Sequence, residues 1–352
     1  MFNRYNLQIL IPVLLIGFLS LLTLSTISST LLKFQFYWYL VGIIIIFIFL
    51  VFDWRLIFNY RWIIFLFYGL VNILLVLTYF FSPIRHIHGW IHFGSFTFEP
   101  AELAKIALIL VYAEYFSRRH LTINSFKVIV GSFAFFALPA ALIFFEPDFG
   151  SAFVLFCIWF SFLVLSGLSA KKILIFILIF AILGLLMWLF FLKPYQKERV
   201  ISFLNPQANS LTSNYNINQA KIAIGSSGLF GKGYFGASQT RLGFLPESSA
   251  DFIFSAFTEE WGLFGAGLLL AIFAYLVFSI LNIGLKADTN FEKFICLGGA
   301  VVFIIQFWLN LGSNLGLSPA VGLTFPFFSY GGSSLLTSFL IISIINSIAK
   351  RF

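Results

Sequence analysis

Apolar side chains come in long blocks separated by short polar breaks. The blocks run over about residues 7–25, 36–52, 62–81, 101–116, 128–145, 151–167, 173–192, 251–285, 294–311 and 327–348. A bilayer core of roughly 30 Å takes about 20 apolar residues per helix. Each block is therefore read as one membrane-crossing helix, about ten in all. The pattern predicts an all-α, polytopic membrane protein with a single domain over residues 1–352. The first block lacks a small-residue cleavage site and other blocks follow closely, so it reads as a helix rather than a signal peptide. The fourth is short and carries Glu102, Lys105 and Glu114. The eighth is long enough to tilt or to emerge from the bilayer. Between the seventh and eighth the hydropathy lapses over 193–250, which reads as one large loop.

Composition excludes a soluble domain: 61% of residues are hydrophobic, 10% are charged, and the mean hydropathy is +1.01. Cys157 and Cys296 lie inside apolar blocks and read as packing residues. The net charge of +8 suits contact with anionic membrane lipids. No basic patch with interleaved aromatics lies outside the blocks, so nucleic acid is not an expected partner. Lys and Arg in short loops set orientation. One side holds Arg4, Arg55, Arg61, Arg118, Arg119, Lys127, Lys171, Lys172, Lys286, Lys293, Lys350 and Arg351; the other holds Lys33 and Arg85. Both termini are therefore expected in the cytoplasm and the 193–250 loop outside the cell membrane. Glu99, Glu146, Asp148, Glu198, Glu247 and Asp251 then fall on the outer side.

Five stretches carry candidate chemistry. GWIHFGSFTFEPAELAK (89–105) places Pro100 at a helix start, with Glu102 and Lys105 within pairing reach at i, i+3. The pair either pins a short helix or lines a polar cavity. EPDFG (146–150) is a tight turn whose acids can cap the next helix or meet a metal or substrate. QAKIAIGSSGLFGKG (219–233), which opens at Gln219, is rich in glycine and carries Lys232. It reads either as a phosphate-binding loop or as a turn needing positive φ. It is not a Walker loop, since the GxxxxGK[ST] spacing is absent. LPESSADFIFSAFTEEWG (245–262) gathers Glu247, Asp251, Glu259 and Glu260. Ser248 or Ser249 is expected to cap the helix begun by Asp251. At 100° per residue, Glu259 lies about 80° round from Asp251 and Glu260 on the opposite face, so these acids are not expected to form one close site. GLSPAVGLTFPFFSYGGSS (316–334) is irregular chain at membrane depth, tolerated only inside protein or beside a cavity. Its Ser329, Tyr330, Gly331 and Gly332 are candidates to meet a sugar or phosphate.

In this order on a ten-helix chain, these stretches resemble the SEDS family of shape, elongation, division and sporulation proteins. The most specific are QAKIAIGSSGLFGKG, LPESSADFIFSAFTEEWG and FPFFSYGGSS, and the resemblance covers nearly the whole chain. The EEWG ending and short tails look more like the RodA branch than the FtsW branch. The resemblance implies a peptidoglycan glycosyltransferase that polymerises lipid II at the outer face of the bacterial cytoplasmic membrane. It also implies a class B penicillin-binding protein as partner and dependence on a divalent cation, Mg²⁺ or Mn²⁺. Asp251 matches the family's essential acid, and Glu102 and Lys105 match the acid and lysine of its S-E-x-x-K stretch, with Ala101 where Ser is usual. Glu99, Ser227, Ala250 and Ser318 are further departures that bear on local hydrogen bonds.

On this reading Asp251 is the candidate base. Arg199, Lys232 and Arg241 are candidates for a leaving diphosphate. Gln219, Glu102, Lys105, Ser329 and Tyr330 are candidates for substrate contact, and Asp251 and Glu247 for metal. Two rival readings need no base: a lipid II flippase using the Glu102/Lys105 cavity, and a scaffold that only recruits the penicillin-binding protein.

Overall fold

The computed structural model describes residues 6–52, 60–83, 88–94, 96–119, 122–191 and 214–350, with isolated positions 197, 201 and 203. The helices are α1 (Leu7–Ile27), α2 (Ser29–Val51), α3 (Arg61–Thr78), α4 (Pro100–Ser117), α5 (Phe126–Phe145), α6 (Phe149–Leu165), α7 (Ala170–Leu186), α8 (Tyr215–Gly225), α9 (Ser238–Arg241), α10 (Ile253–Lys286), α11 (Asn290–Leu315) and α12 (Gly332–Ala349). A π-helical turn, Met187–Phe191, extends α7. Each of the ten apolar blocks corresponds to one helix, with ends moved by a few residues. The one strand pairing among the described residues is a short antiparallel hairpin, β1 (Ile91–Phe93) with β2 (Phe96–Phe98), just before α4. Gly94 turns it with φ 62°.

Local signals fix several helix ends. Ser28 both ends α1 and caps α2, so these two helices reverse across one residue. The Asp148 carboxylate accepts from Ser151 N at 3.1 Å and starts α6. Thr289 Oγ1 does the same for α11 at Glu292 N, and the left-handed Gly316 ends that helix.

α4 packs against α3, α6 and α11 and is buried on nearly every face. A helix apolar all round belongs at the centre of a bundle. α12 is likewise buried along most of its length. α7 has no buried residue and lies at the rim. α10 runs for 34 residues and is broken at Gly262, where φ is 70° and ψ −173°. At about 1.5 Å per residue that length exceeds a ~30 Å apolar core, so part of α10 stands outside it. The Glu102–Lys105 pair lies at the start of α4, whereas Glu114 near its end pairs with Arg61 and Arg118.

Candidate functional site

Asp251 sits two residues before α10, half-buried in a turn built by its own neighbours. Glu247 adopts a left-handed φ of 52°, and its carbonyl accepts from Ala250 N at 3.1 Å and Phe252 N at 3.2 Å. The cap expected from Ser248 or Ser249 is not what starts α10. Ser249 O is engaged by Tyr330 N at 2.9 Å, and the Phe252 N-cap brings no side-chain bond. Asn314 of α11 supplies the acceptor instead, at 3.1 Å from Ser255 N.

The 316–331 segment wraps this turn, and α1, α2 and α11 hold it there. Ser20 Oγ donates to Phe328 O at 2.6 Å, Gln35 Nε2 to Ser329 O at 3.0 Å, and Tyr39 OH to Phe327 O. Those bonds retain Phe327 at a left-handed φ of 62° that a bulky residue adopts only under constraint. Ser329 was expected to meet substrate. It is buried, and its hydroxyl donates to Ala250 O at 2.6 Å while accepting from Phe325 N at 2.9 Å. With both roles taken, it clamps the Asp251 turn rather than facing a ligand. Tyr330 is half-buried beside it.

The glycine-rich loop also differs from its phosphate-binding reading. Lys232 N donates to Glu259 O at 2.9 Å and Gly233 N to Glu260 O at 3.0 Å; Leu263 N and Phe264 N donate to Gly228 O and Leu229 O at 3.1 and 3.0 Å. The loop thus satisfies the backbone groups that α10 frees at Gly262. Gly231 and Gly262 pack backbone to backbone, leaving no room for a Cβ on either. Lys232 is spent in the same lock. Its ammonium lies 2.7 Å from the fully buried Glu259 carboxylate, which also accepts from Ser238 Oγ at 3.2 Å and Gln239 N at 3.0 Å. Burying Glu259 demands such partners, so Lys232 neutralises an internal acid and is not placed as a diphosphate cation.

Across the 316–331 segment from Asp251 lies a second polar group. Lys105 and Glu102 form the expected pair at 2.7 Å, fully enclosed. Glu146 is buried and accepts from Thr78 Oγ1 of α3. Burial holds the Glu99 carboxyl well above the ordinary range, with the charges of Glu102, Asp148 and Glu146 reinforcing it and Lys105 opposing. Burial raises Glu146 to about 7, with Thr78 opposing and Asp148 reinforcing the shift. The two groups meet through the segment itself. A Cβ on Gly150 would stand 2.7 Å from Val321 O, and one on Gly322 3.8 Å from Asp251 Oδ2.

The structure therefore brings together EPAELAK, EPDFG, the Asp251 turn and the 316–334 segment. Gln219 is half-buried on α8, which packs on α10. Arg241 is exposed and braced by Phe235, donating to its carbonyl at 2.7 Å with the guanidinium 5.7 Å from the ring. Arg199 lies outside the described residues. No group of three or more His, Cys, Asp or Glu is gathered as a metal cage among the described residues. Sequence reasoning passed over Asn310, Asn314, Thr78, Gln35, Tyr39 and Lys221, whose side chain lies over Gly316. For Asn310, Thr78 and Tyr39 the available signal was a polar residue inside an apolar block, while Gln35 and Asn314 lie just beyond block ends.

Among the described residues, eight helices are long and apolar enough to cross a membrane, and helix starts and irregular chain gather polar groups around the Asp251 turn, which defines a polytopic membrane protein. The chain belongs to the FtsW/RodA/SpoVE family of cell cycle proteins, which it matches over residues 2–352. It is 35% identical over 282 residues to the peptidoglycan glycosyltransferase MrdB of Escherichia coli strain K12, covering 80% of this chain and 76% of that protein. It is 37% identical over 274 residues to the probable peptidoglycan glycosyltransferase FtsW of Tolumonas auensis, covering 74% and 69%. Among solved structures, a chain from a peptidoglycan synthase complex that coordinates polymerization and crosslinking matches with a TM-score of 0.87 at 26% identity, over 99% of this chain and 98% of that one. The rod shape determining protein RodA of Thermus thermophilus matches in fold with a TM-score of 0.73 at 23% identity, over 99% and 97%.

Proposed function

We propose that this protein is a peptidoglycan glycosyltransferase that polymerises lipid II for cell elongation at the outer face of the bacterial cytoplasmic membrane. One observation carries the reading: the Asp251 turn is held by bonds from α11 to Asp251 O and from Ser329 of the 316–331 segment to Ala250 O. The Lys and Arg bias of the short loops supports the face of that turn lying outside with both termini in the cytoplasm.

In the reaction, the acceptor sugar's 4-hydroxyl oxygen attacks C1 of the donor sugar. The C1–O bond to the polyprenyl diphosphate breaks, and its electron pair leaves with the diphosphate. Asp251 accepts the hydroxyl's hydrogen bond and takes its proton as the new bond forms. Its place just before a helix N-terminus sets the acid at the start of α10. Arg241, with Arg199 as a second candidate from the sequence, is the proposed source of positive charge for the departing diphosphate. A divalent cation, when bound, supplies further neutralisation. Mg²⁺ commonly takes one or two carboxylates with substrate phosphates and water. Asp251 and Glu247, which share one turn, match that demand better than they match a protein-only cage. A class B penicillin-binding protein is the proposed partner, crosslinking the strands made here.

The test is polymerisation of lipid II by the purified protein, with and without Mg²⁺ or Mn²⁺. Glycan made in the presence of the cation, and lost with Asp251→Asn, supports the proposal. Transport of lipid II across vesicles without polymerisation would favour a flippase.

A further inference from the structure

We infer that Asn310 and Asn314 of α11 are positioning residues for Asp251, and that α11 caps the helix of the reacting acid in trans. The inference rests on the role proposed for Asp251.

A helix start leaves four N–H groups without intrahelical partners. α10 has no cap of its own, because Phe252 offers no acceptor. Asn314 fills that place from another helix. Its Oδ1 accepts from Ser255 N at 3.1 Å and Ser255 Oγ at 2.6 Å, while its Nδ2 donates to Asp251 O at 2.8 Å. One amide thus bridges the two sides of the helix start. Asn310, one turn earlier on the same face of α11, donates from Nδ2 to Asp251 O at 3.0 Å and to Leu323 O at 2.8 Å. Both amides are buried, at 1% and 0% exposure. The second lone pair of the Asp251 carbonyl lets it accept from both.

These bonds act on position rather than on charge. Asn310 ties the main chain of Asp251 to Leu323, one residue from Gly322. Gly322 lies against the Asp251 carboxylate, where a Cβ would stand 3.8 Å from Oδ2. The bracket therefore sets the gap that the carboxylate occupies. Buried amides bonded at both ends hold that gap to a few tenths of an ångström, the tolerance a reacting group needs. A serine or threonine cap within the 245–252 turn could start α10, but would not link Asp251 to Leu323.

The test compares Asn310→Ala, Asn314→Ala and Asn314→Asp in the purified full chain. Each is assayed for lipid II polymerisation, thermal midpoint and the split between kcat and KM. Asn314→Ala is expected to lower the midpoint, and both alanine variants to lower kcat by about 10- to 100-fold with KM for lipid II unchanged. Asn314→Asp returns the acceptor for Ser255 without the donor for Asp251, so the midpoint recovers while kcat stays low. Recovery of kcat together with the midpoint, or alanine variants with wild-type kcat, would overturn the inference and leave a purely structural cap. If Asp251→Asn polymerises normally, the assignment beneath it fails. If Asp251→Asn is inactive and the asparagine variants are not, only the positioning role fails.

Discussion

Glu146 and Asp148 stand two residues apart and do different work. Asp148 caps α6, whereas Glu146 turns inward to Thr78. A carboxyl raised to about 7 by burial is protonated in the folded protein where its unfolded counterpart is already ionised. The folded state then holds more protons between the ordinary glutamate pKa and 7, so stability falls as pH rises through that window. Thermal unfolding of the detergent-solubilised protein from pH 5 to 8 is expected to show that decline. Glu146→Gln should flatten it, with Glu99 keeping a residual slope; an unchanged slope in the variant contradicts the assignment. At this scale, pairs close in sequence were legible. Glu102 and Lys105 lie one helical turn apart and their ion pair was readable from spacing. Lys232 and Glu259 are 27 residues apart, and nothing in their spacing announces the bond.

The element that departs furthest from its sequence reading is the glycine-rich loop. A Gly-Lys-Gly run suggests a phosphate nest because both need exposed amides. The amides are instead turned to the carbonyls that α10 frees at Gly262, and hydropathy cannot register one left-handed residue inside an apolar block. Two expectations follow from the lock. Lys232→Met leaves Glu259 buried with only neutral donors and should cost about 2 kcal/mol, a quarter-exposed lysine being partly replaced by water. Adding Glu259→Gln should return most of that loss; a double variant as unstable as the sum of the single ones would exclude the coupling. The lock also fixes depth. Counting about 20 residues up α10 from Lys286 reaches the neighbourhood of Ala266, close to the far edge of the apolar core. Leu229 and the 79%-exposed Phe230 are held at that level by Leu263 and Phe264. A fluorophore on Phe230→Cys, with Cys157 and Cys296 replaced by Ala, should be quenched in liposomes by lipids spin-labelled near the headgroup. Stronger quenching by a water-soluble agent would place the loop outside the bilayer.

For the whole molecule, the ten helices were readable because a bilayer leaves the chain little choice: unpaired backbone cannot face lipid, so long apolar blocks must be helices. Their convergence was not readable. The Asp251 turn is assembled by Asn310, Asn314 and Ser329, partners 59 to 79 positions along the chain, and the segment it leans on is pinned by Ser20 and Gln35, about 300 positions away. Periodicity carries no information at those separations; the family resemblance does, because it brings the stretches as a set. The ion pair, the acid turn and the glycine lock then act as parts of one end of the bundle, with Asp251 as its proposed reacting group. The most direct measurement is glycan-strand synthesis from lipid II by the purified protein and by Asp251→Asn, matched for thermal midpoint. The wild-type chain should give polymer and the variant none, at unchanged folding. Polymer from a folded Asp251→Asn protein would contradict the account.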